Sequence, residues 1–178
     1  MLERDKTLVV IIDVQEKLLP AIQDAAAVED NVSRLVRGAA VLDVPVVFTE
    51  QNPAGLGPTV ATVAADLTGA PVTKMAFSCC GEPAFIEAVR ATGRKQILLA
   101  GIETHVCVYQ TARDLLAGGY DVSIAADAVG SRTAANRSVG LERMQQLGAQ
   151  IVSVEMALFE LLKVAEGGTF KAMLKIVK

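Results

Sequence analysis

The segment Thr7–Asp13, TLVVIID, constrains this chain more than any other. Aliphatic side chains run from Leu8 to Ile12 without a polar break and stop at a carboxylate. A strand with one wet face alternates apolar and polar residues. An unbroken run belongs to a strand covered on both sides, which is the signature of a parallel sheet sandwiched between helices.

The same rhythm recurs along the chain. Thr7–Asp13, Pro45–Thr49, Pro71–Lys74, Gln96–Ala100, Tyr120–Ala125 and Gln150–Val154 read as six strands. Helical patterns separate them: one reaching about Ala40 with Val28, Val32, Leu35 and Val36 on one stripe, then Thr59–Leu67, Glu82–Thr92, Thr104–Ala117 and Ala134–Leu147. Gln51–Pro58 is rich in turn residues. The tail, Met156–Val177, reads as two short helices broken at Gly167–Gly168. Strands alternating with helices imply right-handed crossovers and helices on both faces. The expected fold is α/β: a single three-layer domain over residues 1–178, with a mostly parallel six-stranded sheet in the order 3-2-1-4-5-6.

Composition narrows the function classes. A net charge of −3 argues against a nucleic-acid-binding surface. Aromatics are 4% of the chain and tryptophan is absent, which disfavours a site built on stacked rings. Three cysteines, two of them adjacent (Cys79 and Cys80), make no disulfide framework and point to a reducing cytoplasm. No apolar stretch approaches the ~20 residues needed to cross a bilayer, so no membrane partner is expected.

In a doubly wound sheet, ligands bind outside the carboxyl ends of the strands, where strand order reverses. After the first strand the loop reads DVQEKLLPA, with no glycine before Gly38, and no GxxxxGK[ST] occurs. Dinucleotide and P-loop nucleotide binding are therefore disfavoured, and no cofactor is expected. Three residues with usable chemistry do stand at strand ends. Asp13 closes the first strand, Lys74 the third, and Cys107 follows the fourth in the first turn of a helix. The third strand lies two spacings from the first, roughly 10 Å, which a lysine stem largely bridges. A carboxylate, an ammonium and a thiol converging on one crevice form a nucleophile with its base and an electrostatic partner. A helix N-terminus and a nearby lysine would lower the thiol pKa from about 8.5 toward neutrality. Each residue also has an ordinary reading. Cys107 alone could be core, Asp13 alone a helix cap, and Lys74 alone a surface side chain lying along the protein.

Three segments carry a resemblance: VVIIDVQEKLLP (Val9–Pro20), VTKMAFS (Val72–Ser78) and AGIETHVCVYQTARDLLAGGYDV (Ala100–Val122). Together, and over roughly Thr7 to Val154, the chain resembles the isochorismatase-like cysteine hydrolases. The third segment is highly specific and the first moderately so. The resemblance implies an Asp–Lys–Cys triad mapping onto Asp13, Lys74 and Cys107. It also implies a cis peptide bond between Ile102 and Glu103, which aims the amide N–H of Glu103, with that of Cys107, into an oxyanion hole. Members of the family usually self-associate, so a homo-oligomer is expected.

Two departures narrow the substrate. Nicotinamidases of the family hold a metal with one aspartate and two histidines. The single histidine here, His105, lies in the cysteine segment, so no metal site is expected. True isochorismatases have a small residue in place of the nucleophile, whereas this chain keeps Cys107. The loop TEQNPAGLGPTV (Thr49–Val60) resembles the branch whose substrates are unassigned. Gln51 and Phe77 are candidate pocket residues, and Cys79 and Cys80 are read as inert, with a place bordering the entrance as the alternative. The expected activity is hydrolysis of a C–N bond in a small amide or carbamoyl compound through a thioester. Two alternatives remain: a non-catalytic oligomeric scaffold, and a redox sensor pairing Cys107 with Cys79 or Cys80.

Overall fold

The strand β1 (Thr7–Ile12) is buried along its whole length, as its uninterrupted apolar run requires. The computed structural model describes residues 1–178. Five further strands complete one sheet: β2 (Val46–Gln51), β3 (Val72–Lys74), β4 (Gln96–Ile102), β5 (Asp121–Gly130) and β6 (Gln150–Val152). Their order is β3-β2-β1-β4-β5-β6, and every pairing is parallel. The predicted fold class and strand order therefore hold.

Alternate residues of the central strands feed two separate cores. Val9, Ile11, Leu98, Ala100 and Ile102 face one side, which is covered by helices α1 (Ala25–Val41), α7 (Val154–Leu162) and α8 (Gly167–Val177). Leu8, Val10, Ile12, Ile97 and Leu99 face the other, covered by α4 (Pro83–Ala91), α5 (Tyr109–Ala117) and α6 (Ala134–Gln146). Cys107 belongs to this second core. Two single-turn helices, α2 (Pro53–Leu56) and α3 (Ala61–Ala64), fill the connection between β2 and β3. The stripe Val28, Val32, Leu35 and Val36 is the buried face of α1.

Several boundaries differ from the sequence reading for identifiable reasons. β5 continues past Ala125 to Gly130 although Asp127 interrupts its apolar pattern. That carboxylate accepts the Val154 amide at 2.8 Å and the Asp127 carbonyl accepts from Asn31, so the polar residue is satisfied inside the sheet. The helix predicted over Thr59–Leu67 shrinks to α3, because Thr59 is instead held by the buried Glu50 carboxylate. The tail breaks before Gly167, at Lys163, whose φ is +66°, and both glycines open α8.

Gly101 sets how the centre of the sheet closes. It lies at φ +114°, and a Cβ there would stand 2.1 Å from the Ile12 carbonyl oxygen. Only glycine lets β4 run this close to the end of β1, one residue before Asp13. No helix is long and apolar enough to cross a membrane.

Candidate active site

Asp13 is the first residue beyond β1, and the backbone turns out of the sheet there at φ +53°, a left-handed conformation uncommon outside glycine. Its amide still donates to the Thr49 carbonyl on β2 at 3.2 Å, so the carboxylate is fixed at the sheet's carboxyl edge. Lys74, the last residue of β3, reaches across β2 toward it. The ammonium Nζ lies 2.6 Å from Asp13 Oδ2, and both side chains are completely buried. The same ammonium donates to Gln51 Oε1 at 2.8 Å and to the carbonyls of Ala76 and Phe77, each at 3.2 Å. Its three protons are thus fully engaged. The second carboxylate oxygen, Asp13 Oδ1, accepts a 2.7 Å hydrogen bond from the Thr49 hydroxyl. Burial of two charges is tolerable only with pairing and hydrogen bonding this complete.

Cys107 enters from β4. The stretch Thr104–Val108 forms a π-helical turn before α5 begins, so Cys107 sits in a widened turn and not in the first turn of a regular helix. Such turns recur at functional sites. The Ile102–Glu103 bond preceding it is cis. The Glu103 amide donates to no acceptor within the chain, while the Glu103 carbonyl takes the Val106 and Val108 amides. The Glu103 carboxylate is turned toward Arg132, at 3.1 Å from its Nε.

The electrostatics of the thiol correct the sequence reading. Burial pushes the Cys107 thiol up to about 12, and the Asp13 carboxylate adds to this by its charge and as a hydrogen-bond acceptor, outweighing the opposing effect of Lys74. Lys74 cannot do more because its charge is already spent on Asp13. Cys107 is therefore held as S–H near the Asp13 carboxylate, not as a preformed thiolate.

The structure pairs Asp13 with Lys74, the Gln51 amide joins that pair, and the Cys107 thiol lies close enough to feel both charges. Both ends of that amide bind protein groups, Oε1 to Lys74 and Nε2 to the Met75 carbonyl. Phe77 contributes its carbonyl to Lys74, and the residue itself is 57% exposed. His105 points away, with Nδ1 3.1 Å from Ser131 Oγ. Thr49 was missed, and so was the place of Cys79, which is wholly buried and contacts Thr49 Oγ1 at 3.9 Å. Neither carries a sequence signal, since threonine and cysteine are ordinary strand and core residues. No three His, Cys, Asp or Glu side chains cluster as metal ligands.

Residues 7–156 match the isochorismatase domain. The chain belongs to the isochorismatase family. Among its relatives, the secreted isochorismatase effector Isc1 of Phytophthora sojae is 42% identical over 175 residues, covering 94% of this chain and 82% of the effector. Solved members of this fold include the MAR1 ribonuclease of Caenorhabditis elegans, 32% identical with a TM-score of 0.93 over 99% of this chain and 91% of that one. They also include two YcaC proteins. That of Pseudomonas aeruginosa, solved with covalent acrylamide, is 28% identical with a TM-score of 0.92, covering 98% and 90% of the two chains. That of Escherichia coli, described as an octameric hydrolase of unknown specificity, is 27% identical with a TM-score of 0.93, covering 98% and 88%.

Proposed function

We propose that this isochorismatase-family protein is a cysteine hydrolase that cleaves a C–N bond of a small amide or carbamoyl compound. The observation that carries the reading is the buried Asp13–Lys74 pair, 2.6 Å apart, facing a protonated thiol. A charge pair sealed from water in front of a nucleophile is a general base held ready and oriented.

In the proposed cycle Asp13 takes the Sγ–H proton as Cys107 Sγ attacks the carbonyl carbon. Lys74 stays bound to Asp13 and holds the carboxylate in place. The oxyanion is stabilised by the amide N–H groups of Glu103 and Cys107, and the unengaged Glu103 amide supports this assignment. As the C–N bond breaks, the leaving amine takes the proton from Asp13, and a thioester remains. Water then attacks the thioester, giving its proton to Asp13. The C–S bond breaks, and that proton returns to the thiolate. An electrophilic amide held covalently by the Pseudomonas YcaC is consistent with a reactive nucleophile in this fold. The octameric YcaC supports the further proposal that this chain self-associates.

Two other readings fare less well. Redox-sensing cysteines have low pKa values and lie exposed, whereas Cys79 and Cys107 are buried with their thiols pushed up to about 12. RNA cleavage enters through the likeness to a protein named a ribonuclease, but the net charge of −3 gives little attraction for a polyanion. The test is a screen of small amides, carbamoyl compounds and RNA for ammonia, amine or nucleotide release, run beside Cys107→Ala. Release of ammonia or amine that disappears in a folded Cys107→Ala protein is expected. Turnover retained by that variant, or nucleotide release alone, overturns the proposal.

A further inference from the structure

We infer that Thr49 is a positioning residue for Asp13, gripping the proposed general base at two points. This rests on the reading of Asp13, Lys74 and Cys107 given above. Thr49 stands on β2 in register with Ile12, the last residue of β1, and is 1% exposed. Its carbonyl accepts the Asp13 amide at 3.2 Å, and its hydroxyl donates to Asp13 Oδ1 at 2.7 Å. Backbone and carboxylate of one residue are thus tied to backbone and side chain of another. The backbone turns out of the strand at Asp13, so this last ladder bond fixes its amide but not its carboxylate, which the Thr49 hydroxyl holds.

The direction of the hydroxyl bond is also set. A threonine hydroxyl has one proton to give. An ionised carboxylate only accepts, so that proton goes to Asp13. The buried Cys79 thiol lies against the same hydroxyl at 3.9 Å as its donor, leaving the Thr49 oxygen in the accepting role toward sulfur. The order Cys79 S–H, Thr49 O–H, Asp13 carboxylate therefore runs one way. Lys74 holds Oδ2 and Thr49 holds Oδ1, so the plane of the carboxylate is defined from both sides before the Cys107 thiol gives up its proton. With one grip removed, the carboxylate can swing about the remaining lysine contact and lose its alignment with Sγ.

The test measures the rate at which iodoacetamide labels Cys107 at neutral pH, located by mass spectrometry, in the whole protein and three variants. Thr49→Val keeps the branched shape and removes the hydroxyl, while Thr49→Ser restores it. Asp13→Asn serves as the control for the site itself. Labelling of Thr49→Val should slow about tenfold while Thr49→Ser stays within about twofold of the wild type, tenfold being what loss of one hydrogen bond to a charged group is worth. A Thr49→Val protein that labels at the wild-type rate or faster, or a Thr49→Ser protein no better than Thr49→Val, overturns the inference. Thr49→Val failing to fold leaves the serine comparison decisive: a Thr49→Ser protein that folds yet labels about tenfold slower contradicts it. If Asp13→Asn also labels at the wild-type rate, the reading of the site fails, and not only the role of Thr49.

Discussion

The Lys74 ammonium is completely buried and has four acceptors, so removing it exposes what the charge is for. Lys74→Met leaves the Asp13 carboxylate buried without its cation, a change that costs on the order of 3–5 kcal/mol. Urea unfolding should report that loss, and a second substitution, Asp13→Asn, should return most of it because no stranded charge remains. A Lys74→Met protein as stable as the wild type would contradict the pairing. At this scale the sequence was informative about identity and poor about environment. Asp13 and Lys74 stand out as candidates because each closes an apolar run, and Cys107 because it follows the fourth one closely. Burial of the thiol was not legible, since it depends on how α4, α5 and the π-helical turn close over it. The expected lowering of its pKa was wrong for that reason.

Between elements, the site depends on how closely β4 can approach β1. The Gly101 φ of +114° and the 2.1 Å approach to the Ile12 carbonyl leave no room for a methyl group. Gly101→Ala should therefore cost more than about 3 kcal/mol, or prevent folding, because neighbouring backbone and not a movable side chain is in the way. Thermal unfolding followed by circular dichroism checks this, and a midpoint equal to wild type would show that β4 can shift without penalty. Strand order was readable from the six apolar runs and the handedness of their crossovers. The ends of strands were not. β2, β4 and β5 each extend further than their apolar runs, to Gln51, Ile102 and Gly130. Their last residues are stabilised by partners distant in sequence, such as Gln15 binding the Gln51 amide at 2.8 Å.

For the whole molecule, two buried thiols make stability fall in alkali. In the folded chain burial holds Cys79 and Cys107 up to about 12, against an ordinary value of 9.0 when unfolded. Between these values the unfolded chain releases thiol protons that the folded chain keeps. The unfolded state is therefore favoured as pH rises, and the contribution is complete below pH 9. The slope should reach up to about 1.4 kcal/mol per pH unit for each thiol, with Cys80, raised to about 11, adding to it up to that pH, and Cys79→Ala should make it shallower. Denaturant unfolding from pH 8 to 11 measures this; a flat profile would mean that neither thiol is held protonated by burial. The central claim, that Asp13 activates Cys107, is tested most directly by competition among the three cysteines. Cys80 is the more exposed, and its thiol is raised less, to about 11, so accessibility and acidity alone favour labelling there. The measurement is limited acrylamide labelling at neutral pH, with the modified residues located by mass spectrometry in the wild type and in Asp13→Asn. The account predicts that Cys107 is labelled first in the wild type and loses that lead in Asp13→Asn. Cys80 labelled first in the wild type, or a lead for Cys107 that survives the loss of Asp13, would contradict it.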